Sequence, residues 1–218
     1  MLCGAHASDQ PLCAPCLAEL PHHVEPHCPQ CAIPTPDDQV CGGCLQHSPA
    51  HAHTLAAFSY AFPVDQLIQA LKYQYRLTIA PVLGHALALA ARARPRPDLL
   101  IPMPLHPKRL QQRGFNHATE IARVIADELN LPLDTSICER VRDTPPQVAL
   151  AYDQRRRNVR GAFTCHGAVV GKRVALIDDV MTTGTSLNEL ATTLKKAGAL
   201  EIEAWVVART LPPAEQTS

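Results

Sequence analysis

The sequence predicts an α/β fold, with a parallel sheet flanked by helices, preceded by a small cysteine-rich module. Seven of the nine cysteines lie in the first 44 residues. Segments with helical and strand-like hydrophobic patterns then alternate, and they end in a strand–loop–helix–strand run at 174–208, which is typical of a parallel sheet. An acidic, hydroxyl-rich turn joins the strand and the helix of that run. We therefore place the cysteine-rich module at 1–52 and the α/β domain at 53–218.

Composition excludes several classes of protein. The 218 residues are 46% hydrophobic, which suits a globular core and excludes a disordered, collagen-like or coiled-coil chain. No uninterrupted apolar run reaches the roughly 18 residues that a membrane-spanning helix needs. The first residues have neither the basic start nor the apolar stretch of a secretory signal, so we expect a cytoplasmic protein.

Positive charge is confined to one part of the chain. Residues 1–71 contain no lysine or arginine, and Lys72 is the first basic residue. Because six of the 20 acidic residues lie in 1–71, the remainder carries 20 basic against 14 acidic residues, a formal charge of +6. A basic domain favours anionic ligands, meaning phosphates or nucleic acid, although a solvated basic surface has the same composition.

Six N-terminal cysteines form three C-x-x-C pairs, which is a spacing typical of zinc ligands. Cys28–Cys31 and Cys41–Cys44 together supply four thiolates for one tetrahedral ion, as in a zinc ribbon. Cys13–Cys16 needs two more ligands, and Cys3-x-x-His6 offers them at the same spacing. We therefore predict two structural Zn²⁺ ions, although the spacings also fit an interleaved pairing.

Two other interpretations of these cysteines have less support. Disulfides need an oxidising compartment, and no export signal is seen. A redox C-x-x-C normally follows a strand in a larger fold, and three copies in one chain are not expected. Cys138 and Cys165 stand alone in the sequence, so we expect ordinary core or surface residues there.

Hydrophobic spacing predicts the order of elements in the α/β domain. In chain order, the predicted elements are a helix at 64–73, a helix at 79–91, a strand at 99–103, a helix at 114–129, a strand at 174–177, a helix at 187–196 and a strand at 202–208. The polar stretch 142–160 lacks such a pattern, which predicts a long loop of the kind that carries function.

The strongest chemical signal follows the predicted strand at 174–177. Asp178 and Asp179 come next, at what we expect to be a solvent-facing strand end. A turn then opens a helix, and it consists of Thr182, Thr183, Gly184, Thr185 and Ser186. Ser186 and Glu189 have the spacing of a capping box. Backbone N–H groups and hydroxyls at a helix start bind a monophosphate, and the carboxylates suit sugar hydroxyls or hydrated Mg²⁺. A sugar phosphate ligand accounts for both halves, and a capped helix after an acidic turn is the plainer alternative.

The 174–186 segment resembles the phosphoribosyl pyrophosphate (PRPP) signature of type I phosphoribosyltransferases. Further motifs narrow the resemblance to the ComF family of competence and DNA-uptake proteins, which includes gluconate-utilisation factors. They are Pro102-Met-Pro104-Leu-His-Pro-Lys108-Arg109, Arg113-Gly114-Phe115-Asn116, the stretch 147–159 and the cysteine pairs ahead of the domain. The match runs from about Cys3 to Thr210. The family usually has a fourth C-x-x-C at the start, where this chain has His6 in the second position.

The resemblance implies a role for each part of the PRPP signature. Asp178 and Asp179 would contact the ribose hydroxyls, with Mg²⁺ accompanying PRPP, and the turn 182–186 would wrap the 5-phosphate. The strand end at Pro104 and Leu105 would form a pyrophosphate loop.

The resemblance also assigns the basic residues. Lys108, Arg109 and Arg113 would assist the pyrophosphate loop. Residues 140–160 would form a hood or a partner surface. Within it, Arg155, Arg156 and Arg157 would contact nucleic acid or close over the ligand.

Whether the protein is an enzyme is a separate question, because no residue pattern indicates an acceptor site. Three functions remain open: phosphoribosyl transfer to an unknown acceptor, a cytoplasmic role in DNA uptake that includes binding single-stranded DNA and DNA-uptake proteins, and regulation by PRPP without catalysis. The family resemblance favours the second, although the aromatic content of 4% is low for a protein that stacks bases.

Overall fold

The computed structural model describes residue 3 and residues 11–23, 25–143 and 159–211. The strands in this part of the chain are β1 (His53–Ser59), β2 (Leu99–Pro102), β3 (Cys138–Arg140), β4 (Phe163–Cys165), β5 (Arg173–Met181) and β6 (Glu201–Arg209). Four of them form a parallel sheet in the order β1-β6-β5-β2, and β3 and β4 form a separate antiparallel ribbon.

Helices connect these strands and build the N-terminal module. The α-helices that the structure describes are α1 (Ala14–Ala18), α2 (Gly42–Gln46), α3 (Val64–Tyr73), α4 (Ile79–Ala91), α5 (Pro107–Arg113), α6 (His117–Leu129) and α7 (Thr185–Lys196). A 3₁₀ turn, Pro36–Asp38, precedes α2. None of the helices described here has both the length and the hydropathy that crossing a membrane requires.

Both faces of the parallel sheet are covered, which explains why its strands are apolar without strict alternation. On one face, Ile177 and Trp205 pack among α3, α4 and α6, together with Leu12 and Leu20 of the cysteine-rich module. On the other face, Leu176 packs with α7 and with the β3–β4 ribbon. The cysteine-rich module is therefore packed directly onto the α/β domain.

The predicted strand–helix–strand unit is confirmed, because β5 and β6 pair in parallel with α7 between them in sequence. β5 is longer than predicted. β6 pairs with it from Arg173, opposite Glu201, to Met181, opposite Arg209. The two acidic residues therefore lie inside β5 instead of beyond its end.

The predicted capping box at the start of α7 is wrong. The helix begins at Thr185 with Gly184 as its N-cap, and no side chain caps it. Glu189 accepts a hydrogen bond from the backbone N–H of Gly161 at 2.7 Å instead, which ties α7 to the segment that leads into β4.

Other elements test the remaining sequence predictions. The predicted helices at 64–73 and 79–91 are confirmed as α3 and α4. The helix predicted from residue 114 begins at His117, because Asn116 caps it by accepting the Ala118 N–H at 3.0 Å. The hydrophobic pattern did not predict β1, β3, β4 or α5. β3 and β4 place Cys138 directly opposite Cys165, so two cysteines that stand alone in sequence are neighbours in the fold.

Candidate functional site

Four cysteines of the N-terminal module converge on one point. The sulfur atoms of Cys28, Cys31, Cys41 and Cys44 all lie within 4.8 Å of one another. Cys31 Sγ is 3.6 Å from Cys41 Sγ. A tetrahedral zinc ion with Zn–S bonds of about 2.3 Å places its sulfur ligands about 3.8 Å apart, so these side chains fit the ion.

Backbone N–H groups point at these sulfur atoms. The Cys41 N–H donates to Cys28 Sγ at 3.3 Å, and the Cys44 N–H donates to Cys41 Sγ at 3.4 Å. Burial by itself raises the pKa of Cys28, but three backbone N–H donors outweigh burial and lower that pKa to about 7. Such donors stabilise thiolate, which is the form that binds zinc.

A second, smaller cysteine group lies in the same module. Ligand atoms of Cys3, Cys13 and Cys16 are within 4.8 Å of one another, and Cys3 Sγ is 3.5 Å from Cys13 Sγ. These are three of the four ligands predicted for the first zinc site. His6, the predicted fourth ligand, lies outside the described residues, so its part in the site stays a prediction.

The turn 182–186 has the backbone of an anion-binding helix start. Gly184 adopts a left-handed φ of 71°, a conformation that glycine adopts without strain, and α7 begins at the next residue. The first N–H groups of a helix have no partner within it, so they are available to an anion. The hydroxyls of Thr183 and Thr185 lie 2.6 Å apart and bring further polar groups to the same point.

The four-cysteine cluster and this turn share a cavity of about 430 Å³. Its lining residues include Cys31, Cys41, Cys44, Thr183, Gly184, Thr185 and Arg209. The cysteines and the turn are far apart in the chain, so no sequence pattern predicted that the metal cluster would lie beside the phosphate turn.

Asp178 and Asp179 occupy different surroundings. Asp179 is only 4% exposed. Its Oδ2 pairs with Lys72 Nζ, and its Oδ1 lies 3.5 Å from His117 Nε2. Asp178 is half-buried, and its Oδ1 accepts the Asp179 N–H at 2.9 Å. The expectation that both carboxylates face solvent is therefore wrong for Asp179, because α3 and α6 cover it.

The two carboxyl groups also differ in charge. Burial alone would raise the pKa of Asp179, but Lys72 and His117 outweigh burial and hold that pKa well below its usual range. Burial and the neighbouring Asp179 charge raise the pKa of Asp178 well above its usual range. Asp179 is thus ionised and engaged, whereas Asp178 is the group whose charge a ligand or cation can change.

His117 connects Asp179 to a more distant cation. Arg113 Nη1 lies 2.9 Å from His117 Nδ1, and because a guanidinium only donates, Nδ1 accepts this hydrogen bond. Burial lowers the pKa of His117, so the ring is neutral and its remaining proton is on Nε2, facing Asp179. Contacts therefore run without a break from Arg113 through His117 and Asp179 to Lys72.

The predicted cations converge on a basic cleft of about 620 Å³. Its lining consists of Lys72, Tyr73, Tyr75, Lys108, Arg109, Gln112, Arg113 and Asp143. The Arg113 guanidinium lies over the Tyr73 ring at 5.2 Å, and Arg109 Nε is 3.8 Å from Asp143 Oδ1. We use the name basic cleft for this set of residues.

The predicted pyrophosphate-loop residues divide between two clefts. Pro104 and Leu105 line a neighbouring cleft of about 690 Å³ with Asn116 and Arg140, whereas the cations line the basic cleft. The three cations lie on helix α5, which begins two residues after Leu105. Arg155, Arg156 and Arg157 lie outside the described residues, so their role stays a prediction.

Sequence reasoning missed the two side chains that contact Asp179, Lys72 and His117. Lys72 had a weak signal, since it is the first basic residue of the chain, but nothing in the sequence pairs it with Asp179. His117 follows the helix cap Asn116 directly, so the sequence assigns it only a place in the first turn of α6.

The comparisons with known proteins agree with this geometry. The double zinc ribbon domain family matches residues 1–45, and the phosphoribosyl transferase domain family matches residues 112–216. The chain is therefore an α/β protein that contains a phosphoribosyl transferase domain and an N-terminal double zinc ribbon domain. The double zinc ribbon match and the cluster of Cys28, Cys31, Cys41 and Cys44 together support structural zinc.

Proteins of similar sequence show which family the chain belongs to. The DNA utilization protein YhgH of Escherichia coli O157:H7 is 34% identical over 84% of this chain and 84% of that protein. Competence protein F of Haemophilus influenzae is 33% identical over 95% of this chain and 88% of that protein. The chain belongs to this family of ComF and YhgH proteins.

Solved structures are less similar. The purine phosphoribosyltransferase of Pyrococcus horikoshii Ot3 is 18% identical, with a TM-score of 0.36, over 76% of this chain and 96% of that chain.

Proposed function

We propose that the chain binds PRPP with Mg²⁺ and acts in the cytoplasm in the uptake or use of DNA. The observation that carries the PRPP site is the set of contacts from Asp179 to Lys72, and from Asp179 through His117 to Arg113, which joins the acid pair on β5 to the basic cleft. PRPP has a phosphate and a pyrophosphate on one ribose. It therefore needs two anion sites with an acceptor of hydroxyl hydrogen bonds between them.

Each part of PRPP has a counterpart in this site. The N–H groups and hydroxyls of 182–186 receive the 5-phosphate, and Asp178 receives ribose hydroxyls. Lys108, Arg109 and Arg113 receive the pyrophosphate. Mg²⁺ would be held by Asp178 through water and by the pyrophosphate oxygens, where it neutralises charge on the departing group.

Calorimetry with PRPP and Mg²⁺ tests this assignment. Asp178→Asn removes a carboxyl group that can ionise when Mg²⁺ and PRPP bind, and a charged acceptor strengthens ribose hydrogen bonds. Affinity should therefore fall roughly tenfold to a hundredfold, since such bonds contribute about 1.5–3 kcal/mol each. Asp127→Asn, an exposed carboxylate on α6, is the matched control and should bind as the wild type does. Equal affinity in Asp178→Asn would show that the ribose lies elsewhere.

Phosphoribosyl transfer is the enzymatic form of this proposal. The bond between the ribose C1 and the pyrophosphate oxygen would break, the pyrophosphate would leave with the electron pair, and an acceptor would form the new bond at C1. Cations of the basic cleft would stabilise the leaving group. Pyrophosphate release from PRPP in the presence of the protein separates transfer from a regulatory role, in which PRPP binds and stays intact.

The DNA-related part of the proposal is supported by the names of the related proteins, which refer to DNA utilization and competence, and by the basic cleft. Its two tyrosines, Tyr73 and Tyr75, are 66% and 61% exposed. Exposed rings beside cations are the features with which proteins hold single-stranded nucleic acid. Arg155, Arg156 and Arg157 remain proposed contacts to DNA phosphates.

A further inference from the structure

Arg209 lies at the junction of the metal cluster and the phosphate turn. It is the last residue of β6 and is only 6% exposed. Its Nε donates to the Cys31 carbonyl at 2.6 Å. Its Nη1 lies 3.0 Å from the Met181 carbonyl oxygen and 2.5 Å from the Thr182 carbonyl oxygen. One guanidinium therefore holds backbone from both sites, which a lysine with its single nitrogen does less well.

These hydrogen bonds fix the backbone direction at the start of the turn. A peptide unit is planar and trans, so the carbonyl of one residue and the N–H of the next point in opposite directions. Holding the Thr182 carbonyl directs the Thr183 N–H away from the guanidinium. Holding the Met181 carbonyl, which also accepts the Thr210 N–H at 3.0 Å, does the same for Thr182. Arg209 thus orients the N–H groups of Thr182 and Thr183, at the start of the phosphate turn, so that they point away from its guanidinium.

The cysteine side of this junction is also anchored. The Gln30 carbonyl, next to Cys31, accepts a hydrogen bond from Thr54 Oγ1 at 2.7 Å and lies 3.0 Å from His51 Nε2. The Ala50 N–H donates to an oxygen of Asn188, on α7, at 2.6 Å. These contacts dock the metal cluster on β1 and α7. A zinc ion that ties Cys31 to three other cysteines would complete the anchor for the carbonyl that Arg209 holds.

We propose that Arg209 makes the zinc-bound Cys28–Cys44 cluster part of the phosphate site, as a positioning residue that transmits the order of the metal cluster to the backbone of 182–186. The sugar phosphate then binds with full affinity only while the cluster holds zinc. This inference rests on the proposed function of the turn for its ligand, but the order of the turn can be measured without any ligand.

Hydrogen exchange of the ligand-free protein is the primary test. Removal of zinc by a chelator, and separately Arg209→Gln in zinc-loaded protein, should each increase exchange at 182–186 roughly tenfold. Exchange in the segment 174–177 of β5 should stay slow, which shows that the sheet is folded. Zinc added back to the stripped protein should restore protection, and Arg209→Lys should restore part of it.

Arg94→Gln is the matched control, because Arg94 makes a partly buried ion pair with Glu203 on the same strand as Arg209. It should leave exchange at 182–186 unchanged. If Arg209→Gln exchanges like the wild type at 182–186, or if its loss of protection equals that of Arg94→Gln, the inference is overturned. Should zinc removal unfold the whole chain, the zinc-loaded Arg209 variants still decide.

PRPP binding is the secondary readout. Zinc-loaded Arg209→Gln should bind PRPP roughly tenfold more weakly than the wild type, whereas Arg94→Gln should bind normally. If the wild type fails to bind PRPP, the proposed function is wrong, and the exchange data alone still show whether Arg209 couples the cluster to the turn.

Discussion

Two adjacent aspartates with identical side chains have different chemistry because the Lys72 cation and the His117 ring contact only one of them. Lys72 and His117 occupy both oxygens of Asp179, whereas Asp178 accepts one backbone N–H. The first arrangement stabilises a buried charge, and the second leaves a carboxyl group that gains from a new partner. Asp179 therefore stabilises the fold, whereas Asp178 is left to contact a ligand.

The two asparagine variants should therefore separate stability from affinity. Asp179→Asn leaves the partly buried Lys72 without its partner charge, so the free energy of unfolding should fall by about 3 kcal/mol. Asp178→Asn removes a carboxyl group whose ionisation burial already disfavours, so stability should change by less than about 0.5 kcal/mol. Urea denaturation measures both. Equal stability of the two variants would contradict the assignment of Asp179 to the fold.

The cysteine-rich module is an element whose stability depends on metal. Its helices α1 and α2 have five residues each, which is too short to be stable without packing or a metal. We expect elemental analysis of freshly purified protein to find two zinc ions. A single ion would confirm the Cys28–Cys44 cluster and reject the site that contains His6. Absence of zinc would contradict both.

Helix α5 is the element that supplies cations to the basic cleft. Replacing Lys108 and Arg109 together with alanine should weaken PRPP binding more than DNA binding, because pyrophosphate depends on these cations, whereas DNA also has the cleft's tyrosines and the proposed arginine contacts. Each lost charge-assisted hydrogen bond should lower PRPP affinity about tenfold or more. The control replaces Lys195 and Lys196, exposed on α7, and removes the same charge. Calorimetry should show wild-type affinity in that control.

For the whole molecule, the sequence predicted the features that depend on local patterns, but not those that depend on contacts between distant residues. The parallel β5–α7–β6 unit and the Cys28–Cys44 cluster follow from hydrophobic runs and ligand spacing, which are local properties. The partners of Asp179 and the position of Arg209 come from residues far apart in sequence, and only packing brings them together. The length of β5 was underestimated because its last residues are paired by β6, a contact that the apolar run 174–177 does not reveal.

The distribution of charge along the chain predicts how DNA binding depends on salt. All lysines and arginines lie from residue 72 onward, so single-stranded DNA should bind this part with an affinity that falls as salt rises. Arginine contacts to phosphate determine the salt slope, whereas stacking on a tyrosine is largely independent of salt. Replacing Tyr73 and Tyr75 with alanine should therefore lower DNA affinity at every salt concentration while the slope stays the same.

Alanine at all three of Arg155, Arg156 and Arg157 should instead flatten the slope by about 0.7 for each lost contact and leave PRPP binding nearly unchanged. Phe62→Ala is the control for the tyrosines, because Phe62 is 73% exposed but does not line the basic cleft. Fluorescence titration with a labelled oligonucleotide at several salt concentrations measures both quantities. If the triple arginine variant loses PRPP while DNA binding is unaffected or absent, these arginines close over the ligand as a hood. The DNA-related role would then be supported by family membership alone.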